Sequence, residues 1–336
     1  MNKKAKLAIA IPTYNRCNFL KENISQLLMQ LKDIEENVII IVSDNASTDN
    51  TPIIMNELQK LYPKTIFYYR QKENLGFTIN FGLVIGYSNA DYIYLMGDDD
   101  ILFSNSIMTF LTFIKEYPNI SFFHFNYVLG NNIMNIFKLQ YTEWEQGTNT
   151  VLYDKGYKLI EQFFYGPSFM SSVLFKKEIF KNYEMYIGKY YGYEWLMCIY
   201  HNILNRPCIF SPIPIVAQRT GGNGYSKNWA QYSIVGMSMI YEELEKEIPG
   251  IYHKWNKFRK KNKYDLLLNI SATCYDRIRY IKEKKILMYY LPNKLYKLFL
   301  LINLYCLPKW FILKIEYKFI ILIKKIEKGI SKIHNK

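Results

Sequence analysis

Short apolar runs alternate, along the N-terminal part of the chain, with longer segments whose apolar residues recur every three or four positions. The runs have the length and β-branched content of buried strands, and the longer segments have the spacing of helices. The predicted strands are Lys6–Ile11, Val38–Val42, Thr65–Tyr69 and Tyr92–Met96. The predicted helix caps are Asn18, Thr51 and Ser104, and a further helix is predicted near Phe77–Tyr87. This alternation predicts right-handed crossovers and an α/β fold whose sheet is mostly parallel and flanked by helices.

Polar residues stand at or just after the carboxyl ends of these predicted strands. They are Thr13, Asp44, Arg70 and Asp98, far apart in the sequence. In open parallel sheets, ligands bind beyond the carboxyl ends of the strands. We therefore expect these four side chains to converge on one cleft.

Three consecutive acids, Asp98, Asp99 and Asp100, follow the fourth predicted strand. Adjacent carboxylates repel one another, and hard oxygen ligands suit Mg²⁺ or Mn²⁺, which often accompany a phosphorylated substrate. A solvated acidic turn is the alternative interpretation, and the triplet taken alone does not decide between the two.

Several classes of protein are disfavoured by what the sequence lacks. It has neither a Gly-x-Gly-x-x-Gly fingerprint nor a Gly-Lys-Ser/Thr loop, so neither common phosphate-binding motif is present. The five cysteines are scattered without a Cys-x-x-Cys pair, which predicts reduced core thiols in a cytosolic chain. Met1–Lys6 leads directly into a strand-like segment, so we expect no signal peptide.

The net charge of +14 is concentrated in the last quarter of the chain. Residues 251–336 carry 21 Lys and Arg against 5 Asp and Glu, whereas the preceding residues carry 22 against 24. This break in composition predicts a near-neutral domain at 1–228, a helical extension at 229–284 and basic amphipathic helices at 285–336.

The basic C-terminal segment interleaves Lys with large aliphatic and aromatic residues such as Trp310, Phe311, Tyr317 and Phe319. Its longest uncharged run, Leu298–Leu307, is far shorter than the roughly 20 residues that span a bilayer. The pattern is typical of helices that lie on an anionic membrane surface. Packing on the enzyme core with Lys outward is the alternative, and nucleic acid is not an expected partner, because RNA would leave the aliphatic residues exposed.

Four motifs occur in an order and spacing that resemble family 2 glycosyltransferases, whose GT-A fold is Rossmann-like. The motifs are Ala10-Ile11-Pro12-Thr13-Tyr14-Asn15-Arg16, Val42-Ser43-Asp44-Asn45-Ala46-Ser47-Thr48-Asp49, Asn74-Leu75-Gly76 with Asn80 and Gly82, and Leu95-Met96-Gly97-Asp98-Asp99-Asp100. The last motif has Gly97 where the family usually has its first acid. This variant is similar to abequosyltransferase-like members, which build bacterial surface polysaccharides.

The resemblance implies roles for individual residues. Pro12 and Thr13 would line the nucleotide base, Asp44 would accept a hydrogen bond from it, and Asp98 would face the ribose or sugar. Asp99 and Asp100 would hold the metal or orient its waters, and which of the three acids contacts the metal is left open. The other residues that the resemblance places in the nucleotide-sugar site are Tyr14, Arg16, Asn74, Gly76 and Arg219.

Two further candidates lie downstream, where the resemblance is weaker. Glu194, in Gly192-Tyr193-Glu194-Trp195, stands where the family usually has an acidic pair and is the candidate catalytic base. An ordinary ion-pair residue on a helix is the alternative for Glu194. Arg219 lies in Ala217-Gln218-Arg219-Thr220-Gly221-Gly222-Asn223-Gly224, a segment that is similar to a family loop closing on the donor diphosphate, with a plain Gly-rich surface turn as the alternative.

The function that follows from the resemblance is sugar transfer from a nucleotide-sugar donor to a saccharide acceptor, metal-dependent and inverting. We expect a lipid-linked acceptor and a peripheral location on the cytoplasmic face of the membrane. A nucleotidyltransferase shares the parallel sheet and carboxylate-bound metal and is the closest enzymatic alternative. A catalytically inactive membrane-associated scaffold derived from such an enzyme is the other, because Gly97 and Tyr193 depart from the family pattern.

Overall fold

A computed structural model describes residues 4–32, 34, 37–130, 136–139, 149–164, 166–219, 230–262, 270, 277–291 and 294–305. The chain forms two compact units, Met1–Gly221 and Gly222–Lys336. The predicted boundary after residue 228 falls among residues outside the described ranges. The three-part division of the chain therefore stays a prediction.

In the first unit, strands and helices alternate as the hydrophobic pattern predicts. The strands are β1 (Ala5–Thr13), β2 (Val38–Asp44), β3 (Ile66–Arg70), β4 (Ala90–Leu95), β5 (Ile101–Leu102), β6 (Phe122–Gly130), β7 (Ile136–Leu139), β8 (Val151–Tyr153), β9 (Val173–Lys176) and β10 (Cys208–Arg219). The helices are α1 (Cys17–Leu31), α2 (Thr51–Leu61), α3 (Phe77–Tyr87), α4 (Ser106–Glu116), α5 (Gly156–Gln162) and α6 (Glu194–Ile203).

The described strands form one sheet in the order β3-β2-β1-β4-β9-β6-β10-β5, with β7 paired to β6 and β8 to β10. The first four strands in this order are mutually parallel. Beyond them, β9 is antiparallel to both β4 and β6, while β6 and β10 are parallel to each other. The predicted α/β fold is confirmed, and the parallel sheet predicted from the first strands continues as a mixed one.

The central strands are apolar along their length because both faces of the sheet are covered. Every residue of β2 is buried, as are all but one of β1. Each fully buried Val, Leu or Ile side chain contributes roughly 1.5–3 kcal/mol to folding. Burial on both faces holds the strand ends, and therefore the polar residues attached to them, in fixed positions.

Three helix starts differ by one or two residues from those predicted. Asn18 lies inside α1, Thr51 is the first residue of α2 rather than its cap, and α4 begins at Ser106 after Asn105. The reason for the first two lies in Asp49, whose carboxylate accepts hydrogen bonds from the backbone N–H of Cys17 and of Thr51, both at 3.0 Å. One carboxylate thus accepts a hydrogen bond from the first residue of each of two helices.

The described residues of the second unit form helices and short turns. A π-helical turn, Gln231–Gly236, leads into α7 (Met237–Leu244), followed by α8 (Ile251–Lys261), α9 (Arg277–Tyr290) and α10 (Lys294–Tyr305). α8 ends at Lys261, and Asn262 is its C-cap. The core of this unit includes Trp255, which stacks on Tyr241 at 4.8 Å and donates a hydrogen bond to Ser238.

No helix in the described part of the chain combines the length and the apolar content needed to cross a bilayer. Residues 306–336, which contain much of the predicted membrane-surface segment, lie outside the described ranges. Binding to an anionic membrane surface therefore stays a prediction.

Candidate active site

The ends of the first four strands bring the predicted polar residues together at one edge of the sheet. Thr13 pairs in register with Asp44, and Asp44 with Arg70. β4 ends just before the acid triplet, and the Thr13 hydroxyl donates a 2.8 Å hydrogen bond to the Asp98 carboxylate. The four residues that sequence spacing placed in one cleft therefore lie side by side.

Asp44 is fully buried, and its carboxylate is held by donors from three directions. One oxygen accepts a hydrogen bond from the Ser47 backbone N–H at 2.9 Å. The other accepts the Tyr68 hydroxyl proton at 2.6 Å and lies 3.6 Å from Arg70 Nε. Burial and the Asp44 carboxylate both raise the pKa of Tyr68 above its ordinary value, so the hydroxyl keeps its proton for this bond.

Asn74 and Gly76 lie against the loop that follows Asp44. The Asn45 side chain donates to Asn74 Oδ1 at 2.7 Å and accepts a hydrogen bond from the Leu75 backbone N–H at 2.8 Å. Gly76 precedes α3 with a φ of +82°, a backbone conformation that favours glycine. Hydrogen bonds thus join the second and third sequence motifs.

Pro12 and Tyr14 flank Thr13 in different ways. Pro12 is buried within β1 and pairs with Ser43. Tyr14 follows the strand and is exposed, which leaves its ring accessible at the edge of the cleft.

The three acids of the triplet have three different sets of contacts. Asp98 accepts the hydrogen bond from Thr13, and Asp99 forms a 3.0 Å ion pair with Arg16. Asp100 is buried and accepts hydrogen bonds from the Ser171 hydroxyl at 2.6 Å and from the Arg219 backbone N–H at 3.2 Å. The described residues contain no group of three or more His, Cys, Asp or Glu side chains placed to hold a metal ion.

A compact turn explains why glycine precedes the triplet. The Ser171 hydroxyl accepts a hydrogen bond from the Gly97 N–H at 2.8 Å while donating to Asp100, and Asn23 donates to the Gly97 carbonyl at 3.0 Å. A Cβ on residue 97 would lie 2.5 Å from Asp100 Oδ2. The Asp100 carboxylate therefore occupies the space that an acid at position 97 would need.

Crowding of negative charge changes the acidity of two of these acids. The pKa of Asp98 is raised to about 7, mainly by loss of solvation and secondly by repulsion from Asp99. The same two causes raise the pKa of Asp100 to about 8, against the hydrogen bond from Ser171. The site therefore favours added positive charge.

We expect Asp98→Asn to become progressively more stable than the wild-type protein as the pH rises from 5 to 8 in the presence of a chelator. The unfolded chain releases this proton near pH 4 and the folded chain near pH 7, so the wild-type folded state loses stability across that interval. The measurement is the difference in Tm between the two proteins at each pH.

Asp91 provides a control of opposite sign, because its hydrogen bond with Lys4 lowers its pKa. The charged Asp91 carboxylate stabilises the folded state at pH values above the ordinary aspartate pKa. This stabilisation is lost as the pH falls through the lowered pKa of the folded protein. Asp91→Asn should therefore show no gain in relative stability between pH 5 and pH 8. A pH-independent Tm difference for Asp98→Asn would contradict the burial of charge at this site.

Two arginines lie next to the triplet on the side of α1. Arg219 donates from Nε to the Asp99 backbone carbonyl at 2.8 Å and from Nη2 to the Glu22 carboxylate at 3.0 Å. The guanidinium groups of Arg16 and Arg219 both face the ring of Phe19, at 5.6 and 4.8 Å from its centroid. The rest of the predicted closing loop, Thr220–Gly224, lies outside the described residues.

Glu194 is the first residue of α6 and is buried. Its carboxylate accepts a 3.2 Å hydrogen bond from the Thr78 hydroxyl, in the first turn of α3, and a longer one from the Tyr190 backbone N–H. Since α3 begins beyond the carboxyl end of β3, Glu194 lies on the same edge of the sheet as Asp44. Among the described residues its hydrogen bonds do not reach the acid triplet, and its role as base stays a prediction.

Three residues that shape the site were missed by the sequence reasoning. Ser171 and Phe19 carried no local signal for a role beside the triplet. Asn23 did carry one, because it is a polar residue on the buried face of α1, next to Ile24. A polar side chain at a core position usually has a specific hydrogen-bond partner, here the Gly97 carbonyl.

Comparison with known proteins gives one family match and several relatives. The model described as "Glycosyl transferase family 2" matches residues 8–183. "Abequosyltransferase RfbV" of Salmonella typhimurium is 28% identical over 238 residues, which cover 66% of this chain and 68% of that protein.

Solved structures with the same fold include two with bound ligands. One is TarS 1-349 of S. aureus with UDP-GlcNAc, which matches with a TM-score of 0.57 at 14% identity and covers 80% of each chain. The other is the mannosyltransferase PcManGT from Pyrobaculum calidifontis with GDP-Man and Mn²⁺, with a TM-score of 0.56 at 12% identity, covering 90% of this chain and 88% of that one. At these identities the matches show the fold alone, and they confirm the predicted GT-A fold.

Proposed function

Because the chain belongs to glycosyl transferase family 2, we propose that it transfers a sugar from a nucleotide-sugar donor to a saccharide acceptor during bacterial surface-polysaccharide synthesis. The observation that carries this proposal is the meeting of Thr13, Asp44, Arg70 and Asp98 at one sheet edge. In α/β folds such an edge is where ligands bind. The likeness to an abequosyltransferase supports the polysaccharide context.

The two ends of the cleft suit the two ends of a nucleotide sugar. Pro12, Thr13 and Asp44, with Asn74 and Gly76 beside them, would accept the nucleoside. Asp98 would face the ribose or sugar, and Arg16 and Arg219 would neutralise phosphate charge as guanidinium groups commonly do. Tyr14, exposed at the edge, would cover the donor from outside.

The residues around the triplet fit a divalent cation, Mg²⁺ or Mn²⁺. Carboxylate oxygens are the preferred ligands of both ions. Asp98 and Asp99 are only partly buried, whereas each oxygen of Asp100 accepts a hydrogen bond from the protein. We therefore place the cation on Asp98 and Asp99, with Asp100 holding the turn, and the cation would offset charge on the leaving diphosphate.

The reaction class that we propose is inverting transfer. It needs a carboxylate that takes the proton of the acceptor hydroxyl as the oxygen attacks the anomeric carbon. Glu194 is the candidate, because it lies at the same sheet edge and, among the described residues, its carboxylate accepts hydrogen bonds from the Thr78 hydroxyl and the Tyr190 backbone N–H.

We expect Glu194→Gln to keep donor affinity and to lower turnover by about a hundredfold or more, since the amide cannot accept the proton. Donor affinity is measured by calorimetry and turnover by release of nucleoside diphosphate. Glu178→Gln is the matched control, because Glu178 is an exposed partner of Arg206. Unchanged turnover in Glu194→Gln would transfer the role of base to another residue.

The acceptor and the location are proposed from charge rather than from geometry. Residues 251–336 carry a strong excess of Lys and Arg, and an anionic membrane surface attracts such segments. A peripheral enzyme on the cytoplasmic face would meet acceptors that are linked to lipid. We propose a lipid-linked saccharide on this basis.

The experiment that tests the proposed function is a screen of nucleotide sugars against bacterial membrane extract, read by mass spectrometry. A product heavier by one sugar, with release of nucleoside diphosphate, supports the proposal. Release of pyrophosphate would instead identify a nucleotidyltransferase. Absence of turnover together with no binding of nucleoside diphosphates and Mn²⁺ would favour an inactive scaffold.

A further inference from the structure

The ion pair between Arg16 and Asp99 lies where the donor's charged groups are proposed to bind. Arg16 Nη1 is 3.0 Å from Asp99 Oδ2, and about a quarter of each side chain is exposed. Arg16 immediately precedes α1, and Asp99 follows β4, so the pair links two elements across the cleft. It therefore engages the carboxylate that we assign to the cation.

The contacts of Arg16 differ from those of its neighbour Arg219. Arg219 is nearly buried and is tied to the Asp99 carbonyl and to Glu22. In the described part of the chain, the Arg16 side chain donates a hydrogen bond to the Asp99 carboxylate, faces the ring of Phe19 and lies close enough to Asp98 for its charge to lower the pKa of that acid. Arg16 can therefore leave Asp99 without breaking any other described hydrogen bond of its side chain.

We propose that Arg16 is a positioning residue that exchanges partners during donor binding. It pairs with Asp99 before the donor binds, and it moves to the donor diphosphate once a divalent cation occupies Asp99. The exchange follows from charge: one carboxylate cannot serve a guanidinium and a divalent cation equally, and the diphosphate supplies the guanidinium with a new anionic partner. This inference rests on the proposed function and deepens it.

The exchange has two consequences of opposite sign. Loss of the ion pair should strengthen binding of the cation alone, because the cation no longer competes with Arg16 for Asp99. Loss of the guanidinium should weaken binding of a nucleoside diphosphate in the presence of the cation. In the wild-type protein each ligand should therefore raise the affinity for the other, and Arg16 should add to the coupling that the direct attraction between the cation and the diphosphate supplies.

The test measures Mn²⁺ and nucleoside diphosphate binding by calorimetry, each alone and in the presence of the other, with correction for their complex in solution. The nucleotide probe is whichever of UDP, CDP, GDP and dTDP the wild-type protein binds most tightly. The variants are Arg16→Ala, Arg16→Lys and, as a control, Lys21→Ala. Lys21 is exposed on the same helix, and its side chain has no described contact.

For Arg16→Ala we expect Mn²⁺ alone to bind about fivefold more tightly, which is the upper range for an exposed ion pair. We expect the nucleotide, with Mn²⁺ present, to bind about tenfold more weakly. The coupling between the two ligands should fall below its wild-type value, to what the direct attraction between the cation and the diphosphate supplies. Arg16→Lys should be intermediate, because an ammonium keeps the charge but not the planar fork, and Lys21→Ala should match the wild type.

Coupling of wild-type size in Arg16→Ala would overturn the exchange, and so would a Lys21→Ala variant that behaves like Arg16→Ala. Tighter Mn²⁺ binding with unchanged nucleotide affinity would also overturn it, because Arg16 would then act only on Asp99. A wild-type protein that binds neither ligand would refute the proposed function itself, an outcome distinct from the others.

Discussion

Asp99→Asn is expected to lower sugar transfer by about a thousandfold or more while the protein stays folded. The substitution keeps the shape of the side chain and removes the negative charge. Asp99 is partly exposed, and Arg16 and the Arg219 guanidinium, which contacts its backbone, surround it. Removal of its charge therefore removes a partner of the proposed cation without opening a cavity.

Turnover is measured as nucleoside diphosphate released from the donor that the wild-type protein uses, and folding as Tm. Asp91→Asn is the matched control, because Asp91 lies near the start of β4, the strand that precedes Asp99, and pairs with Lys4 on the surface. Its turnover should equal that of the wild type. Wild-type turnover in Asp99→Asn, or in excess chelator, would contradict metal-dependent transfer.

The first half of the sheet could be predicted because its strands are short apolar runs separated by helices of regular spacing. Local pattern was enough for β1, β2 and β4, since both faces of these strands are buried. The antiparallel insertion of β9 between β4 and β6 could not be predicted in the same way. Its position depends on contacts with segments some 50 to 80 residues away in sequence, and no local pattern records them.

The candidate site could be predicted as far as it depends on strand ends. Thr13, Asp44, Arg70 and Asp98 converge because parallel strands end at the same edge of a sheet. The separate contacts of the three acids could not be predicted, since they depend on side chains from other elements. Ser171 lies 71 residues from Asp100 in the sequence, and Asn23 lies 74 residues from Gly97.

The departure of Gly97 from the family pattern has a physical cause that the sequence alone did not reveal. An acid at this position was expected from the resemblance, and its absence raised doubt about the metal site. The structure replaces that doubt with a steric reason, because Asp100 folds back over residue 97. The triplet then divides into two partly exposed acids and one buried acid that holds the turn.

Gly97→Ala is accordingly expected to lower the free energy of unfolding by about 1–3 kcal/mol, the usual cost of an added group in a packed site. The new Cβ would lie 2.5 Å from Asp100 Oδ2 and 3.2 Å from its Cγ, so the carboxylate must move. Its movement would break the hydrogen bond from Ser171, which also holds the Gly97 N–H. Since a displacement of about 1 Å at a reacting centre costs about a hundredfold in rate, turnover should fall by a similar factor.

Gly86→Ala is the control for the glycine itself, because Gly86 lies in α3 and an added Cβ there has no atom within 4 Å. Replacement of a helical glycine in open space should raise stability by up to about 1 kcal/mol. A double-mutant cycle with Asp100→Ala then isolates the clash from other effects. If the carboxylate is the obstacle, Gly97→Ala should cost little in the Asp100→Ala background. An equal cost in both backgrounds would show that the glycine is needed for its backbone and not for the space that Asp100 occupies.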